Sequence, residues 1–430
     1  MSVIILIAFL VLLAAGAPIA FAMGGAGLIG LLLHSDGFLL LPALTEQIFN
    51  QLNSFPFLTI PLFIFAGSII SEGGIAGRLM DVANMTIGRR RGGLASAIVV
   101  AALFFHGISG SSSADTAAIG KVTLPGLRRQ GYPAEFAAAL LAAAGATSTL
   151  IPPSTDFILI GVVANMSIAG LFAAGLIPAC INALGLILLV IYTAHRKGYG
   201  KVEQPFDLGA VSWAVFKAVP GLFMIVIILG GILGGVFTPT EASAVAVVYG
   251  IFLTVFVYRS LTVKRLVKMF IETIEIAGMV LTVIAMSAIL SYTLTIYQVP
   301  TALAASVDAI TSSKVIFLLL VQILFFAIGT FVDTTPAILI LMPILTPMAV
   351  ARGVQPIHFG ILVEVNIALG MAHPPAGNCL FTACAITKIP LEQVIRPLLP
   401  FIGVLIVTMM VITYVEDFSM FLPRLLGVAN

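Results

Sequence analysis

Two clusters of oxygen-bearing side chains, one in each half of the chain, interrupt long apolar runs. The first reads GSSSADTAAIGKVTLP over residues 110–125, and the second reads GTFVDTTPAILILMP over residues 329–343. In both, an aspartate stands ten residues before the closing proline. Serine, threonine and aspartate oxygens, together with carbonyls freed by an interrupted helix, are ligands that hard cations such as sodium prefer. The pattern therefore predicts two related cation sites.

A second interruption follows each cluster and contains a Pro-Pro pair. It reads GATSTLIPPS over residues 145–154 and LGMAHPPAGN over residues 369–378. Proline removes an amide donor and disfavours helix in the residue before it, so neither segment can continue as a regular helix. Non-helical backbone at membrane depth is tolerated only where protein, water or ions satisfy it. Each half is therefore predicted to hold a hairpin tip that faces a broken helix, with a binding site between them.

The tips and breaks provide the candidate binding residues. The predicted ligands of sodium site 1 are Ser109, Ser111, Ser112, Ser113, Asp115, Thr149 and Pro152. Those of sodium site 2 are Gly329, Thr330, Asp333, Thr334, Gly370 and Gly377. The helices that start after the tips direct positive partial charge to the centre, which favours an anion there. The residues predicted to contact this anionic substrate are Ser112, Ser154, Thr334, Thr335 and Asn378.

Several roles stay open at this point. Any single serine could serve helix packing instead of binding. Asp115 and Asp333 could each ligate a cation or cap the helix that follows. For His106 and His373 a hydrogen-bonded structural role is favoured over proton binding. No catalytic residue is predicted, and sodium is the only ion expected, as a coupling ion and not as a cofactor.

The elements that position these residues must be membrane helices. Hydrophobic residues make up 60% of the 430 residues and charged residues only 9%, which excludes a soluble globular protein. Residues 3–33, 221–236 and 401–415 form apolar runs that approach or exceed the roughly 20 residues needed to cross a bilayer. A net charge of +2 gives no support to a nucleic-acid role. The sequence predicts an all-α polytopic membrane protein.

The basic residues predict the orientation of the two halves. The positive-inside rule places the arginine clusters at residues 89–91 and 128–129 in the cytoplasm, so the first hairpin, about residues 94–127, opens to that side. The second hairpin, about residues 314–350, has few flanking charges and is predicted to open to the periplasm. We therefore predict one integral membrane domain of two inverted repeats, residues 1–200 and 201–430.

Three local features are less determined by the sequence. Residues 3–33 contain Pro18 and several glycines, so they form either one kinked helix or two. Residues 41–53 form either an interfacial helix or a loop. The segment Thr238-Pro239-Thr240 before Glu241 predicts a turn and then a helix that carries the glutamate in its first turn.

Four segments of the chain are specific enough to indicate a family: PLFIFAG at residues 61–67, SGSSSADTAAIG at 109–120, LIPPS at 150–154 and FTPTEASAVAVVYG at 237–250. On these segments, and over essentially its full length, the chain resembles the large membrane subunit of tripartite ATP-independent periplasmic (TRAP) transporters. The tips are also similar to the Ser-Asn-Thr hairpin motifs of divalent-anion/sodium symporters. In this chain Asp115 or Asp333 stands in place of the asparagine, and the second tip lacks the leading serine.

The resemblance implies sodium-driven uptake of an organic anion across the bacterial inner membrane by an elevator mechanism. It also implies two partners on separate chains, a small four-helix membrane subunit and a periplasmic substrate-binding protein. Sialic acid, a C4-dicarboxylate, another carboxylate or a sulfonate all remain open as the substrate. The alternative is a stand-alone sodium/dicarboxylate symporter without a binding protein. An intramembrane aspartyl protease also needs two aspartates, but the tips carry no adjacent water-activating motif, and the chain is not expected to be an enzyme.

Overall fold

The structure is a computed structural model that describes residues 2–87, 91–200, 208–329, 334–375 and 377–429. These residues are largely helical, and none of them forms a strand. In the first half the helices are α1 (Ser2–Ala14), α2 (Ile19–Leu32), α3 (Gly37–Leu52), α4 (Thr59–Glu72), α5 (Ile75–Ile87), α6 (Gly93–Ser109), α7 (Ser112–Arg129), α8 (Ala134–Ser148), α9 (Thr155–Val163) and α10 (Ile168–Lys197). A short 3₁₀ turn, Phe55–Leu58, precedes α4.

The second half continues in the same way. Its helices are α11 (Leu208–Leu233), α12 (Pro239–Ile251), α13 (Val263–Ile296), α14 (Val299–Ile310), α15 (Lys314–Gly329), α16 (Thr334–Ala351), α17 (Pro356–Ala372), α18 (Asn378–Thr387), α19 (Leu391–Tyr414) and α20 (Asp417–Leu425). A π-helical segment, Phe252–Val257, extends α12.

Seven helical stretches of the described chain are long and apolar enough to cross a bilayer. They are Phe55–Glu72, Ile168–Lys197, Val211–Leu233, Pro239–Val257, Val263–Ile296, Thr334–Ala351 and Leu391–Tyr414. Other apolar helices are shorter. The 15 residues of α8 extend about 22 Å at 1.5 Å per residue, less than the roughly 30 Å of a hydrocarbon core. The predicted all-α polytopic class is confirmed.

Each half contains a helical hairpin followed by a broken helix, at the predicted places. Helices α6 and α7 pack together and reverse at Gly110, whose φ of 65° lies in the left-handed region that glycine tolerates. Helices α15 and α16 form the second hairpin. Helix α8 ends at Ser148 and α9 begins at Thr155, while α17 ends at Ala372 and α18 begins at Asn378. The repeat boundaries and their opposite orientation stay predictions.

Helix α8 lies at the centre of this arrangement. Every residue from Phe136 to Ser148 is buried, and the helix packs against α6, α7, α17, α18 and α19. Its many alanines let neighbouring backbones approach closely. At Gly145 an added Cβ would lie 1.9 Å from Thr116 Oγ1 of α7. The small residues of α8 thus bring its broken end against the first hairpin.

The structure also decides the three local alternatives. Residues 3–33 form two helices: α1 ends at Ala14, α2 begins at Ile19 just after Pro18, and the two pack against each other. Residues 41–52 lie in helix α3, so the helical alternative is confirmed. Helix α12 begins with a capping box: the Thr238 amide donates to Glu241 Oε2 at 2.8 Å, and the Glu241 amide donates to Thr238 Oγ1 at 3.3 Å. The predicted turn and helix at this point are confirmed.

Candidate functional site

A cavity of about 340 Å³ lies between the two hairpin tips and the two helix breaks. The first hairpin contributes residues 109–114, and the second contributes Thr334 and Thr335. Helices α4 and α13 provide the remaining wall, including Ser68 and Ile276. The residues predicted to contact the substrate all line this one cavity; they are Ser112, Ser154, Thr334, Thr335 and Asn378. The structure therefore brings them together, and their role in binding stays a prediction.

Four helices begin at the cavity. Their first residues, Ser112 of α7, Thr155 of α9, Thr334 of α16 and Asn378 of α18, all line it. The first amides of a helix have no intrahelical acceptor, and the helix dipole adds positive partial charge at this end. The convergence of four N-termini therefore makes the cavity electrostatically suited to an anion.

Most of the residues predicted for sodium site 1 also lie at the cavity. Ser109, Ser111, Ser112, Ser113 and Thr149 line it. The break packs against the first hairpin. A Cβ added to Gly107 would lie 3.3 Å from the Pro152 carbonyl oxygen, and a Cβ added to Gly110 would lie 3.4 Å from the Pro153 carbonyl oxygen. The carbonyl groups of the break thus lie against the first hairpin.

Asp115 lies behind this tip and joins the two arms of the hairpin. Its carboxylate accepts a hydrogen bond from the Ser109 hydroxyl and lies 2.7 Å from Nδ1 of His106, and all three side chains are buried. The prediction that His106 is hydrogen-bonded is confirmed. Of the two open roles of Asp115, capping is not observed: Asp115 is the fourth residue of α7, and its carboxylate is directed to His106 and Ser109 of α6.

The hydroxyl groups near the first tip have unused bonding capacity. Ser112 Oγ and Thr147 Oγ1 are buried without a hydrogen-bond partner, which is uncommon for buried polar atoms. The Ser148 hydroxyl donates to the Gly145 carbonyl at 2.7 Å and the Thr149 hydroxyl to the Ala146 carbonyl at 3.0 Å. Because each proton is used inside α8, the oxygen lone pairs remain available to a cation. This donor set fits sodium.

In the second half, residues predicted for sodium site 2 likewise bring the hairpin into contact with the helix break. An added Cβ at Gly370 would lie 3.3 Å from the Gly329 carbonyl oxygen, so the end of α15 meets the end of α17. Gly377 folds back on the break, where an added Cβ would lie 2.5 Å from the Met371 carbonyl oxygen. Thr334 lines the cavity. Thr330 and Asp333 lie outside the described residues.

His373 connects the second break to the second hairpin. Its ring packs edge-on against Phe326 of α15, with ring centroids 4.5 Å apart. This aromatic contact holds the end of α17 beside α15.

The charged side chains of the cavity wall are acidic. Glu72 of α4 and Glu272 of α13 line the cavity, and Arg265 pairs with both of them, reaching Glu272 at 3.6 Å. No lysine or arginine belongs to the lining in the described part of the chain. Among the described residues, the helix N-termini are therefore the positive groups that the lining presents to an anion.

Two buried carboxyl groups close to the first break were missed in the sequence. Asp156 follows Ser154 and Thr155 at the start of α9 and lines the cavity, and Glu364 is fully buried in α17. An ionisable residue inside an apolar run is itself a signal of function in a membrane protein. Asp156 and Glu364 both carry this signal, although neither lies in a hairpin tip.

The architecture defines the class of protein. A multi-pass helical chain with two hairpins and two broken helices around one polar cavity is typical of a secondary membrane transporter. The fold matches the crystal structure of the YdaH transporter of Alcanivorax borkumensis with a TM-score of 0.66 at 17% identity, over 90% of each chain.

The sequence comparisons identify the family. The family model of the tripartite ATP-independent periplasmic transporter, DctM component, matches residues 6–418. The chain is 37% identical over 413 residues to the isethionate TRAP transporter permease protein DctMQ of Oleidesulfovibrio alaskensis; this match covers 96% of the chain and 65% of that relative, just under two thirds of its length. It is 38% identical over 409 residues to the C4-dicarboxylate TRAP transporter large permease protein DctM of Pseudomonas aeruginosa, with 95% of each covered. The chain belongs to this DctM family of TRAP transporters.

Family membership confirms the resemblance seen in the sequence. The relatives are transport permeases and not enzymes, as predicted. Family membership and the seven membrane-length helices in the described residues together identify the protein as a multi-pass protein of the inner membrane.

Proposed function

We propose that this protein is the large permease subunit of a sodium-coupled tripartite transporter that imports an organic anion. The observation that carries the proposal is the convergence of four helix N-termini on one cavity bounded by both hairpins and both breaks. A helix N-terminus stabilises a nearby negative charge by typically 0.3–1 kcal/mol. Four such ends provide a site for an anion without a basic side chain.

Sodium ions would provide the remaining compensation. The two tip–break contacts present hydroxyl and carbonyl oxygens, the ligands that a hard cation prefers. At a separation of about 5 Å and an effective dielectric constant of about 20, a cation and an anion attract by roughly 3 kcal/mol. Each ion would therefore raise the affinity for the other by about 100-fold, and this reciprocal coupling is the basis of symport.

The proposed substrate is a small organic anion. The relatives named above are a permease for isethionate and one for C4-dicarboxylates, both of which are small and acidic. A cavity of about 340 Å³ is at the lower end of the usual range of ligand sites and suits a molecule of this size. The hydroxyls of Ser112, Thr334 and Thr335 would orient its acidic groups.

The proposed movement is an elevator in which α6–α9 and α15–α18 carry the ligands past α4 and α13. Helix α4 meets the first tip at Gly67, where an added Cβ would lie 2.2 Å from the Ser109 carbonyl oxygen, and α13 packs against α16. These contacts join the wall to the two hairpins, so they would have to slide during transport. The proposed partners are a small membrane subunit and a periplasmic substrate-binding protein.

The proposal is tested by uptake into proteoliposomes that contain this chain and the small subunit. The binding protein is added outside with radiolabelled isethionate or succinate. We expect accumulation only with an inward sodium gradient, and none when potassium replaces sodium. Uptake by this chain alone would instead support the stand-alone symporter, and uptake that ignores the sodium gradient would refute the coupling.

A further inference from the structure

Glu364 is an acidic residue in an unusual place. It lies in α17, which packs against both halves of the first broken helix, α8 and α9. The side chain is fully buried, and neither carboxylate oxygen has a hydrogen-bond partner. None of the ion pairs formed within the described residues includes it. In its ionised form a group of this kind needs a compensating charge.

The polar neighbours of Glu364 do not provide that charge. They are Thr149 at the end of α8 and Asp156 in the first turn of α9. The Thr149 hydroxyl already donates its proton to the Ala146 carbonyl at 3.0 Å. Asp156 is a second carboxyl group, only 7% exposed, so the two acidic residues repel each other when both are ionised.

A hard cation near Glu364 would find oxygen ligands on all three residues. Two carboxylates and a hydroxyl oxygen whose proton is engaged elsewhere are oxygen donors of the type that sodium accepts. A bound cation would offset the desolvation of Glu364 and its repulsion with Asp156. Access also exists, because Thr149 and Asp156 both line the cavity. Glu364 itself is not among the residues that line it.

We infer that Glu364, Asp156 and Thr149 bind a further sodium ion, in addition to the two proposed tip sites; the Thr149 hydroxyl then belongs to this further site, and the tip serines remain the hydroxyl ligands of sodium site 1. The inference rests on the proposed sodium-coupled function and extends it. The ion would sit between α8, α9 and α17, so it would link the first broken helix to a helix of the second half. It would add one sodium ion to each transport cycle.

The test compares Glu364→Gln with wild type in the reconstituted complex. The number of sodium ions moved per substrate is obtained from the reversal potential of uptake at set sodium and substrate gradients. We expect this number to fall by one in Glu364→Gln and to remain unchanged in Glu392→Gln, a matched control at an exposed position on α19. An active Glu364→Gln protein with the wild-type number would overturn the inference. So would a variant that changes only the pH dependence of uptake, since the pair would then hold a proton.

If Glu364→Gln does not transport, sodium binding is measured in place of uptake. Equilibrium binding of ²²Na⁺ to the purified complex should show one ion fewer in Glu364→Gln than in wild type. If Glu364→Gln does not fold, Asp156→Asn is measured by the same criterion, because Asp156 reaches the cavity surface. An undiminished count in the folded variant overturns the inference. Wild-type protein that neither binds ²²Na⁺ nor needs sodium for uptake would refute the proposed function as a whole, which separates the two failures.

Discussion

Replacing Gly145 by alanine tests whether close packing of α8 against the first hairpin positions the candidate site. An added Cβ would lie 1.9 Å from Thr116 Oγ1 and 3.2 Å from Thr116 Cβ. Rotation of Thr116 would not be free, because its hydroxyl donates to the Ser112 carbonyl at 2.7 Å. The substitution therefore either breaks this hydrogen bond or separates α7 from α8.

The size of the effect follows from these distances. Heavy atoms in contact prefer a separation of about 3.5 Å, so the helices would have to move apart by roughly 1.6 Å if Thr116 kept its rotamer. Overpacking of this kind typically costs about 1–3 kcal/mol. Ser112, at the start of α7, would be displaced with the helix. We expect sodium-dependent uptake to fall by at least 10-fold, together with a lower thermal unfolding temperature.

The assay is initial uptake in proteoliposomes, alongside thermal unfolding of the purified complex. Gly403→Ala is the matched control: this glycine lies in α19 with nothing within 4 Å of an added Cβ, so alanine there should be neutral or slightly stabilising. Adding Thr116→Ala to Gly145→Ala removes the nearest clashing atom and should restore part of the activity. Full uptake and stability in Gly145→Ala alone would show that this contact does not position the site.

Four further substitutions test separate parts of the account. Ser112→Ala and Asp115→Ala should each reduce sodium-dependent uptake while membrane insertion stays intact; an unchanged sodium dependence of uptake in both would count against sodium site 1. Thr238→Ala removes the cap of α12 and should lower the unfolding free energy by about 1 kcal/mol, measured by thermal unfolding, with the sodium dependence unaltered. Gln322→Leu leaves the buried Thr413 hydroxyl without its hydrogen bond from Gln322 and should destabilise the fold by roughly 1–3 kcal/mol; equal stability would show that this bond adds nothing.

The sequence was sufficient to place the hairpins and breaks because their signals are local. Pro152 and Pro153 end α8 by removing amide donors, and the polar tip around Ser112 interrupts an apolar run. The convergence of both halves on one cavity depends on contacts between residues far apart in the chain, such as Gly329 with Gly370 and the helices around Gly145. Spacing along the chain suggests such pairs but does not determine them.

The role of Asp115 shows the limit of local reasoning. An aspartate near a helix start suggests a cap, yet its place in the fourth position of α7 directs the carboxylate to His106 on the facing arm. The proximity of Glu364 to Asp156 likewise cannot be predicted from the sequence, because the two residues lie on different helices, α17 and α9. Partners across helices follow from packing, which a hydrophobic pattern specifies only by face.

The central claim is that sodium and an organic anion occupy one cavity and move together. The most direct measurement follows ²²Na⁺ and a ¹⁴C-labelled substrate at the same time, in the same proteoliposomes, with the small subunit and the binding protein present. The account predicts that each flux requires the other, with a fixed ratio between them, and that Ser112→Ala lowers both. Accumulation of the ¹⁴C-labelled substrate without entry of ²²Na⁺ would contradict it.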